Sequence, residues 1–341
     1  MNTLKLKGLD DYPQKRLNDY WHRFNSEESF ADILGLSIST TNKCNLRCIY
    51  CYAGEERTSN KNDLSLDEQK NIISQACELG AKTLIICGDG EPTIDKNLIG
   101  IVEHANKKKM ISVIVNNAVI FGDDNQSKKI HGIEGVEFLE KLYNANASLI
   151  IKMESAEKEN YESIVGVKGT FEKFTKAINR IMECGFGGDG KSKITRLAFS
   201  SVVMKNNFNE INRLKQFADD RNAQYICKLP SLVGTSLKNL ENMFGVDEYE
   251  KMRQYLSKYT AKRETLLVDA PRCMAWHYGP CIDVEGEARE CYTSPCSPEN
   301  RIGNIREKSL KELVVSKKSR CDLNCSDACP IKTRINNTLT E

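Results

Sequence analysis

The chain has 341 residues, of which 40% are hydrophobic and 28% charged, and its formal net charge at pH 7 is +2. This length can bury a substantial core, and the nearly neutral charge gives no argument for nucleic acid or an anionic membrane surface as a partner. No apolar run is long enough to span a membrane, and the first residues lack the apolar segment of a signal peptide. We therefore expect a cytoplasmic protein.

Cysteine is unusually frequent for such a protein. Its fourteen cysteines comprise an early triplet, four scattered positions and a group of seven between Cys273 and Cys329. Because a reducing compartment disfavours disulfides, these thiols indicate metal or catalytic sites.

In chain order, the sequence predicts a short helical cap over residues 1–34 and then a repeating strand–helix rhythm. Each of the six predicted strands is followed by residues with helical spacing. The strands are expected at residues 35–41, 82–87, 111–115, 148–153, 194–204 and 223–229. Six such units predict an α/β fold with a parallel sheet, open or partly closed as a barrel, whose chemistry lies in the loops after the strands' carboxyl ends.

The first of these loops carries three cysteines, Cys44, Cys48 and Cys51, separated by three and two residues. Thiolate is a soft ligand that suits iron–sulfur clusters, zinc or copper(I). Three thiols this close, with no obvious local fourth, fit a [4Fe–4S] cluster with one iron left open. A zinc knuckle is the alternative interpretation.

The loop after the second predicted strand consists of Gly88, Asp89, Gly90, Glu91 and Pro92. Its glycines let the backbone turn sharply and approach a ligand, and the proline suits the first turn of a helix. Alone, the loop would be an ordinary strand-to-helix turn; one strand after the cysteines, it indicates a binding site.

Together the two motifs resemble the radical S-adenosylmethionine (SAM) superfamily, whose signature is Cys-x3-Cys-x2-Cys with an aromatic residue, here Tyr50, before the third cysteine. The resemblance implies a partial (β/α)6 barrel over residues 35–240, a [4Fe–4S] cluster on the three cysteines, and SAM on the open iron. It also implies that the Gly88–Pro92 loop engages the amino group of SAM. Asp89 departs from the family's usual Gly-Gly-Glu-Pro pattern.

The same resemblance marks polar residues after later strands as SAM contacts: Asn117 after the third strand, and Glu154 and Ser155 after the fourth. Lys152 would be costly inside a barrel mouth unless paired, so it could bind the SAM carboxylate or a substrate; a solvated strand end is the alternative. Cys227 ends the sixth strand and is a candidate hydrogen donor, as in some epimerases of the family. A buried structural cysteine is the alternative.

Residues 241–271 predict a helical linker to a cysteine-rich domain over residues 272–341. A hairpin is expected near Ile282, with its turn at Glu285–Gly286. This region resembles the SPASM/twitch extensions of radical SAM enzymes, which carry one or two auxiliary [4Fe–4S] clusters; a structural zinc site is the alternative. Its spacings depart in part from the SPASM pattern, which leaves the number of clusters open. The predicted ligands are Cys273, Cys281, Cys291, Cys296, Cys321, Cys325 and Cys329.

The resemblance implies an oxidoreductase that reductively cleaves SAM to a 5′-deoxyadenosyl radical, which abstracts a substrate hydrogen atom, with an auxiliary cluster assisting oxidation or substrate binding. We expect a small-molecule substrate in a biosynthetic reaction, a flavodoxin- or ferredoxin-type electron donor, no nucleic acid and no membrane. The alternatives are a peptide or protein maturase and a non-catalytic iron–sulfur or zinc module.

Overall fold

The computed structural model describes residues 4–11, 15–16, 19–20, 23, 26, 31–54, 62–231, 234–256, 258–259, 279–289 and 301–318. The strands are β1 (Lys5–Leu6), β2 (Gly35–Ile38), β3 (Thr83–Ile86), β4 (Ile111–Asn116), β5 (Ser148–Lys152), β6 (Ile194–Thr195), β7 (Leu197–Val202), β8 (Gln224–Lys228), β9 (Cys281–Ile282), β10 (Glu287–Arg289) and β11 (Arg301–Asn304). The helices are α1 (Leu66–Glu78), α2 (Leu98–Lys107), α3 (Val119–Gly122), α4 (Asp124–His131), α5 (Gly135–Asn144), α6 (Lys158–Val165), α7 (Phe171–Glu183), α8 (Ile211–Asp219), α9 (Val246–Leu256) and α10 (Leu310–Lys318).

A nine-stranded sheet forms the centre of the fold, in the order β11-β10-β9-β2-β3-β4-β5-β7-β8. The strands β2, β3, β4, β5, β7 and β8 pair in parallel in this order, which confirms the predicted α/β sheet. Helices fill most connections; α1 begins with the predicted capping box, in which Ser65 and Glu68 exchange hydrogen bonds. Because these six strands run parallel, the loops that follow their carboxyl ends emerge side by side at one edge of the sheet.

One predicted strand, residues 194–204, is divided in the structure. β7 stays in the central sheet, whereas β6 pairs in parallel with β1. Arg196 lies between them, and its guanidinium donates to the backbone carbonyls of Ala147 and Tyr143. This half-buried anchor accounts for the interruption, because the side chain of Arg196 leaves the strand pattern to satisfy those carbonyls.

β1 closes the amino ends of the parallel strands. The hydroxyl of Thr83, the first residue of β3, donates to the Gly8 carbonyl at 2.5 Å, and that of Ser148, the first residue of β5, donates to the Lys7 carbonyl at 2.9 Å. Leu6 packs with inward-facing residues of the sheet in a small apolar cluster. The predicted helical cap over residues 1–34 thus begins, where the structure describes it, with a strand.

The C-terminal segment extends the same sheet beyond β2. β9 pairs in parallel with β2, and β10 returns antiparallel to it with Ala288 opposite Ile282, so the predicted hairpin is present. Arg306, after β11, makes two contacts with the Glu68 carboxylate, of 2.6 and 3.2 Å, at the start of α1. The described part of the predicted domain over residues 272–341 is therefore built onto the central sheet.

Within the described residues we find no helix with the length and apolar character needed to cross a membrane.

Candidate functional site

The cysteine loop, residues 44–51, follows β2 and is held against the end of α6. The backbone N–H of Arg47 donates to the Val165 carbonyl at 2.8 Å, and that of Ile49 donates to the Ile164 carbonyl at 3.0 Å. The last carbonyls of a helix have no partner within the helix, so the loop satisfies them while they fix its path. The backbone on either side of Cys48 is thereby anchored.

The segment after β8 packs on the cysteine loop from another side. The Thr235 N–H donates to the Cys51 carbonyl at 2.8 Å, and the Asn239 amide donates to the Ile49 carbonyl at 3.2 Å. Gly234 has φ +64°, and a Cβ there would stand 2.3 Å from the Tyr52 carbonyl oxygen. Only glycine permits this approach without movement of the backbone.

The Cys44 and Cys51 thiols both lie close enough to Cys48 to affect its ionisation. Burial raises the pKa of the Cys48 thiol well above its ordinary value, and negative charge on Cys44, Glu154 and Cys51 raises it further. The N–H of Leu46 donates to Cys44 Sγ at 3.4 Å. The loop thus presents three thiols, one of which already accepts a backbone hydrogen bond.

Three thiols on one loop are a donor set that either an iron–sulfur cluster or a zinc ion takes. In the part of the chain that the structure describes, no three His, Cys, Asp or Glu side chains meet closely enough to share one metal ion. A zinc ion would draw its thiolates to about 4 Å from each other, since each Zn–S bond is about 2.3 Å. In a [4Fe–4S] cluster each cysteine binds a different iron, so the sulfurs stand further apart.

The Gly88–Pro92 loop lies directly against the strand end that leads into the cysteine loop. A Cβ at Gly90 would stand 2.3 Å from the Thr41 carbonyl oxygen and 2.4 Å from that of Lys43, and the Glu91 N–H donates to the Lys43 carbonyl at 2.7 Å. At Gly88, where φ is +154°, a Cβ would stand 2.2 Å from Ser39 Oγ. The two loops are therefore in backbone contact, as the order of the motifs predicts.

Glu91 and Asn117 tie these loops to the end of β4. The Glu91 carboxylate accepts hydrogen bonds from Thr93 and from the Asn117 N–H, and Pro92 opens the short 3-10 turn that holds Thr93. The Asn117 amide donates to Asn45 Oδ1, beside Cys44, at 2.8 Å. Glu91 and Asn117, both predicted SAM contacts, are thus buried and connect the two loops through hydrogen bonds.

Glu154 occupies a second buried junction. It accepts the Tyr50 hydroxyl at 2.5 Å on Oε1 and the Val202 N–H at 2.7 Å on Oε2. Lys152 Nζ lies 3.0 Å from the same Oε1 and 5.3 Å from the centre of the Tyr50 ring, and 19% of its side chain is exposed. The lysine is therefore paired, as its position requires, and its ammonium stands beside the aromatic residue of the cysteine motif.

Ser155 is fully buried behind this junction. Its hydroxyl lies 2.7 and 2.9 Å from the two Glu210 carboxylate oxygens, which also accept the Ala156 N–H and the Asn160 amide. The hydroxyl of Ser155, a predicted SAM contact, is thus hydrogen-bonded to a carboxylate of the chain itself. Glu210 lies in the connection after β7, and no local sequence signal marks it as a partner of Ser155.

Cys227 lies on the face of β8 that packs against α9, and its role as a hydrogen donor stays a prediction. It is buried in the main core, with its Sγ 3.9 Å from the Leu256 carbonyl of α9, and burial raises its pKa to about 12. Its neighbour Ile226 packs in the inward cluster with Val115 and Ile150. Alternation along β8 places the two residues on opposite faces, and the cysteine takes the helix side.

Of the seven predicted auxiliary ligands, the structure describes one. Cys281 is buried on β9, opposite Ser37 of β2. The others, together with residues 260–278 of the predicted linker and domain, lie outside the described residues: Cys273, Cys291, Cys296, Cys321, Cys325 and Cys329.

Comparison with known proteins agrees with this geometry. The sequence profile of the radical SAM superfamily matches residues 38–214. The GTP 3′,8-cyclase of Clostridium perfringens strain 13 is 24% identical over 295 residues, which are 82% of this chain and 80% of that protein. The Fe-coproporphyrin III synthase of Methanosarcina barkeri is 25% identical over 187 residues, which are 55% of this chain and 41% of that protein.

Among solved structures, SuiB of Streptococcus suis bound to the precursor peptide SuiA has a TM-score of 0.63 and 16% identity, over 88% of this chain and 69% of that chain. This likeness shows the fold. The profile match covers more than half of the chain, from β2 into α8, and includes the cysteine loop, the Gly88–Pro92 loop and Glu154. The chain belongs to the radical SAM superfamily.

Proposed function

We propose that this protein is a radical SAM enzyme whose [4Fe–4S] cluster is held by Cys44, Cys48 and Cys51. The observation that carries the proposal is the anchoring of three thiols on one loop, between the end of α6 and the Gly88–Pro92 loop. When bound, the cluster and SAM supply reductive cleavage of SAM to methionine and a 5′-deoxyadenosyl radical that abstracts a substrate hydrogen atom.

The chain's own residues would bind and orient SAM. The backbone of the Gly88–Pro92 loop offers hydrogen-bonding groups to the amino group, and the Lys152 ammonium offers positive charge to the carboxylate at the same edge of the sheet. Three of the predicted SAM contacts would lie behind the groups that touch SAM: Glu91, Asn117 and Glu154. Because their polar atoms are engaged with the chain, they hold the loops and Tyr50 in place and contact SAM less directly.

We propose a small molecule as the substrate. Support comes from the alignment with GTP 3′,8-cyclase, which extends over about four fifths of both chains. The peptide-modifying alternative shares the fold through SuiB, whose low identity supports the fold alone. The same proposal includes an overall oxidation of the substrate and one or more auxiliary [4Fe–4S] clusters at the C-terminal cysteines. It also includes a flavodoxin- or ferredoxin-type protein as the electron donor.

Anaerobic reconstitution with iron and sulfide, followed by reduction with dithionite in the presence of SAM, tests it. We expect the wild type to form methionine and 5′-deoxyadenosine in equal amounts, and the Cys48→Ala variant to form neither above background. Cys184→Ala is the matched control, because this half-buried cysteine lies at the end of α7 and not in the cysteine loop. A wild type that binds iron and sulfide yet yields no 5′-deoxyadenosine would instead support a non-catalytic module.

The same preparations report on auxiliary clusters. In a variant with alanine at Cys44, Cys48 and Cys51, any remaining iron and sulfide must be bound elsewhere in the chain. Iron retained by this triple variant and lost when Cys325 and Cys329 are also replaced would support an auxiliary cluster.

A further inference from the structure

Asp89, the residue that departs from the family's glycine-rich pattern, lies against the C-terminal hairpin formed by β9 and β10. Its Oδ2 is 3.7 Å from Arg289 Nη1 of β10, and the two side chains are 20% and 14% exposed. A mostly buried carboxylate needs a countercharge, since desolvation alone would penalise its ionised form. In the described structure that charge comes from a segment two hundred positions later in the chain.

Arg289 is itself fixed by the turn of the hairpin. Its Nη2 donates to Asp283 Oδ2 at 2.5 Å. The other carboxylate oxygen, Asp283 Oδ1, accepts the backbone N–H groups of Glu285 and Glu287, both at 2.9 Å. One planar guanidinium therefore faces two carboxylates, an arrangement that its forked donors permit and that a single ammonium cannot reproduce.

The hairpin and the Gly88–Pro92 loop also meet through the end of β2. Ser39 donates its N–H to the Ile282 carbonyl at 2.9 Å, and its hydroxyl accepts the Asp89 N–H at 3.4 Å. The Ser37 N–H donates to the Pro280 carbonyl at 3.1 Å. The position of Arg289 relative to Asp89 is thus set by backbone pairing, and a shift of the hairpin would move both contacts together.

We propose that Arg289 is a positioning residue for SAM: from the C-terminal hairpin it holds the Asp89 carboxylate and so keeps the Gly88–Pro92 loop in its SAM-binding shape. The inference rests on the proposed function, because it takes this loop as the SAM site. It makes SAM affinity depend on the docking of the C-terminal segment. It also explains how this chain accommodates aspartate where the family usually has glycine.

A double-mutant cycle on reconstituted protein tests the coupling, with the SAM dissociation constant measured by equilibrium dialysis. We expect Arg289→Lys and Asp89→Asn each to weaken SAM binding roughly tenfold, and the double variant to bind no more weakly than the weaker single variant. Asp89→Asn leaves the Arg289–Asp283 pair in place, so it keeps the test valid even if Arg289→Lys folds poorly. Losses that multiply in the double variant, or no loss in either single variant, would overturn the inference.

Arg306→Lys is the matched control. It makes the same chemical change in the same segment, at an ion pair with Glu68 at the start of α1 and not with the Gly88–Pro92 loop, and should leave SAM affinity unchanged within about twofold. Iron content and the thermal midpoint, measured for every variant, separate positioning from general damage: positioning lowers SAM affinity at unchanged iron content. A wild type that binds no SAM contradicts the proposed function, whereas multiplying losses on a SAM-binding wild type contradict only this inference.

Discussion

Glu91 accepts the backbone N–H of Asn117 at 2.8 Å on Oε2, and this bond joins the Gly88–Pro92 loop to the carboxyl end of β4. Its other oxygen accepts the N–H and the hydroxyl of Thr93 at 3.0 and 2.6 Å. Glu91 is 4% exposed, and burial raises its pKa to about 7 even though these hydrogen bonds favour the ionised form. A carboxylate that titrates near neutral pH therefore braces the site.

We expect the stability that Glu91 confers to decline as the pH rises. The folded-state pKa of about 7 lies above the ordinary value of 4.5, so the folded protein binds the proton more tightly than the unfolded chain. The contribution is complete below the ordinary value and is lost as the pH rises through about 7, a loss of about 3 kcal/mol in the free energy of unfolding. Urea unfolding of cluster-free wild type and Glu91→Gln across this range measures it.

In that experiment, the free energy of unfolding of the wild type should fall relative to that of Glu91→Gln as the pH increases. Glu103→Gln, on the exposed face of α2, is the control and should follow the wild type at every pH. A difference between wild type and Glu91→Gln that stays constant across the range would contradict the assignment.

Glu154→Ala should be strongly destabilising. It removes the acceptor for the Tyr50 hydroxyl and the Val202 N–H and leaves the Lys152 ammonium without its carboxylate. Loss of one partner from a buried charged network costs about 3 kcal/mol or more. Equilibrium urea unfolding of the cluster-free protein measures this.

The nearby Glu157→Ala variant provides the comparison for Glu154. Glu157 pairs with Arg213 at the surface, where both side chains are more than half exposed, so its removal should cost less than about 1 kcal/mol. Equal losses in the two variants would show that the buried junction around Glu154 contributes no more than a surface ion pair.

The sequence could predict the sheet and the two loops because their signals are local. Apolar periodicity marks each strand, and closely spaced cysteines and glycines mark the loops that follow β2 and β3. Parallel order then brings both loops to the same edge, where the structure has the Glu91 N–H bonded to the Lys43 carbonyl. The hairpin after Cys281 was predictable for the same reason, from a Glu-Gly turn between short strands.

The roles of individual polar residues could not be predicted in the same way, because they depend on contacts between distant parts of the chain. The Ser155 hydroxyl is hydrogen-bonded to the Glu210 carboxylate, and Asp89 forms an ion pair with Arg289. The direction of Cys227 depends on which face of β8 meets the helices, and a one-residue change in strand register reverses it. None of these partners follows from spacing along the sequence.

Gly90→Ala should damage the site without unfolding the protein. The new Cβ would stand 2.3 Å from the Thr41 carbonyl oxygen and 2.4 Å from that of Lys43, so the Gly88–Pro92 loop must move away from the cysteine loop. We expect SAM affinity of the reconstituted protein to fall by at least about tenfold, with destabilisation of about 1–3 kcal/mol from the overpacked contact.

Gly100→Ala is the counterpart for Gly90→Ala. Gly100 lies inside α2, and a Cβ there would meet only the Leu66 side chain, at 3.4 Å. Because glycine is unfavourable in a helix interior, we expect this variant to gain about 0.5–1 kcal/mol or to stay unchanged, and to bind SAM like the wild type. If Gly90→Ala behaves in the same way, the backbone contact between the two loops does not control SAM binding.

Tyr161 provides the last test, because its buried hydroxyl has no hydrogen-bond partner among the described residues. It lies one turn before Ile164 and Val165, whose carbonyls hold the cysteine loop, and burial with the charge of Cys48 raises its pKa well above the ordinary value. The hydroxyl therefore keeps its proton and can act only through donation or acceptance of a hydrogen bond.

Tyr161→Phe should leave the cluster-free protein as stable as the wild type or more stable by about 1 kcal/mol, because it removes an unsatisfied buried group. Tyr225→Phe, which loses a 3.2 Å hydrogen bond to Ser201 Oγ, should instead cost about 1 kcal/mol. In the reconstituted protein we expect Tyr161 to donate towards the cluster sulfurs near Cys48. Such donation favours the reduced cluster, so Tyr161→Phe should move its midpoint potential to a more negative value in an EPR-monitored titration. An unchanged potential, together with a loss of stability in the cluster-free variant, would show that Tyr161 serves only the packing of α6.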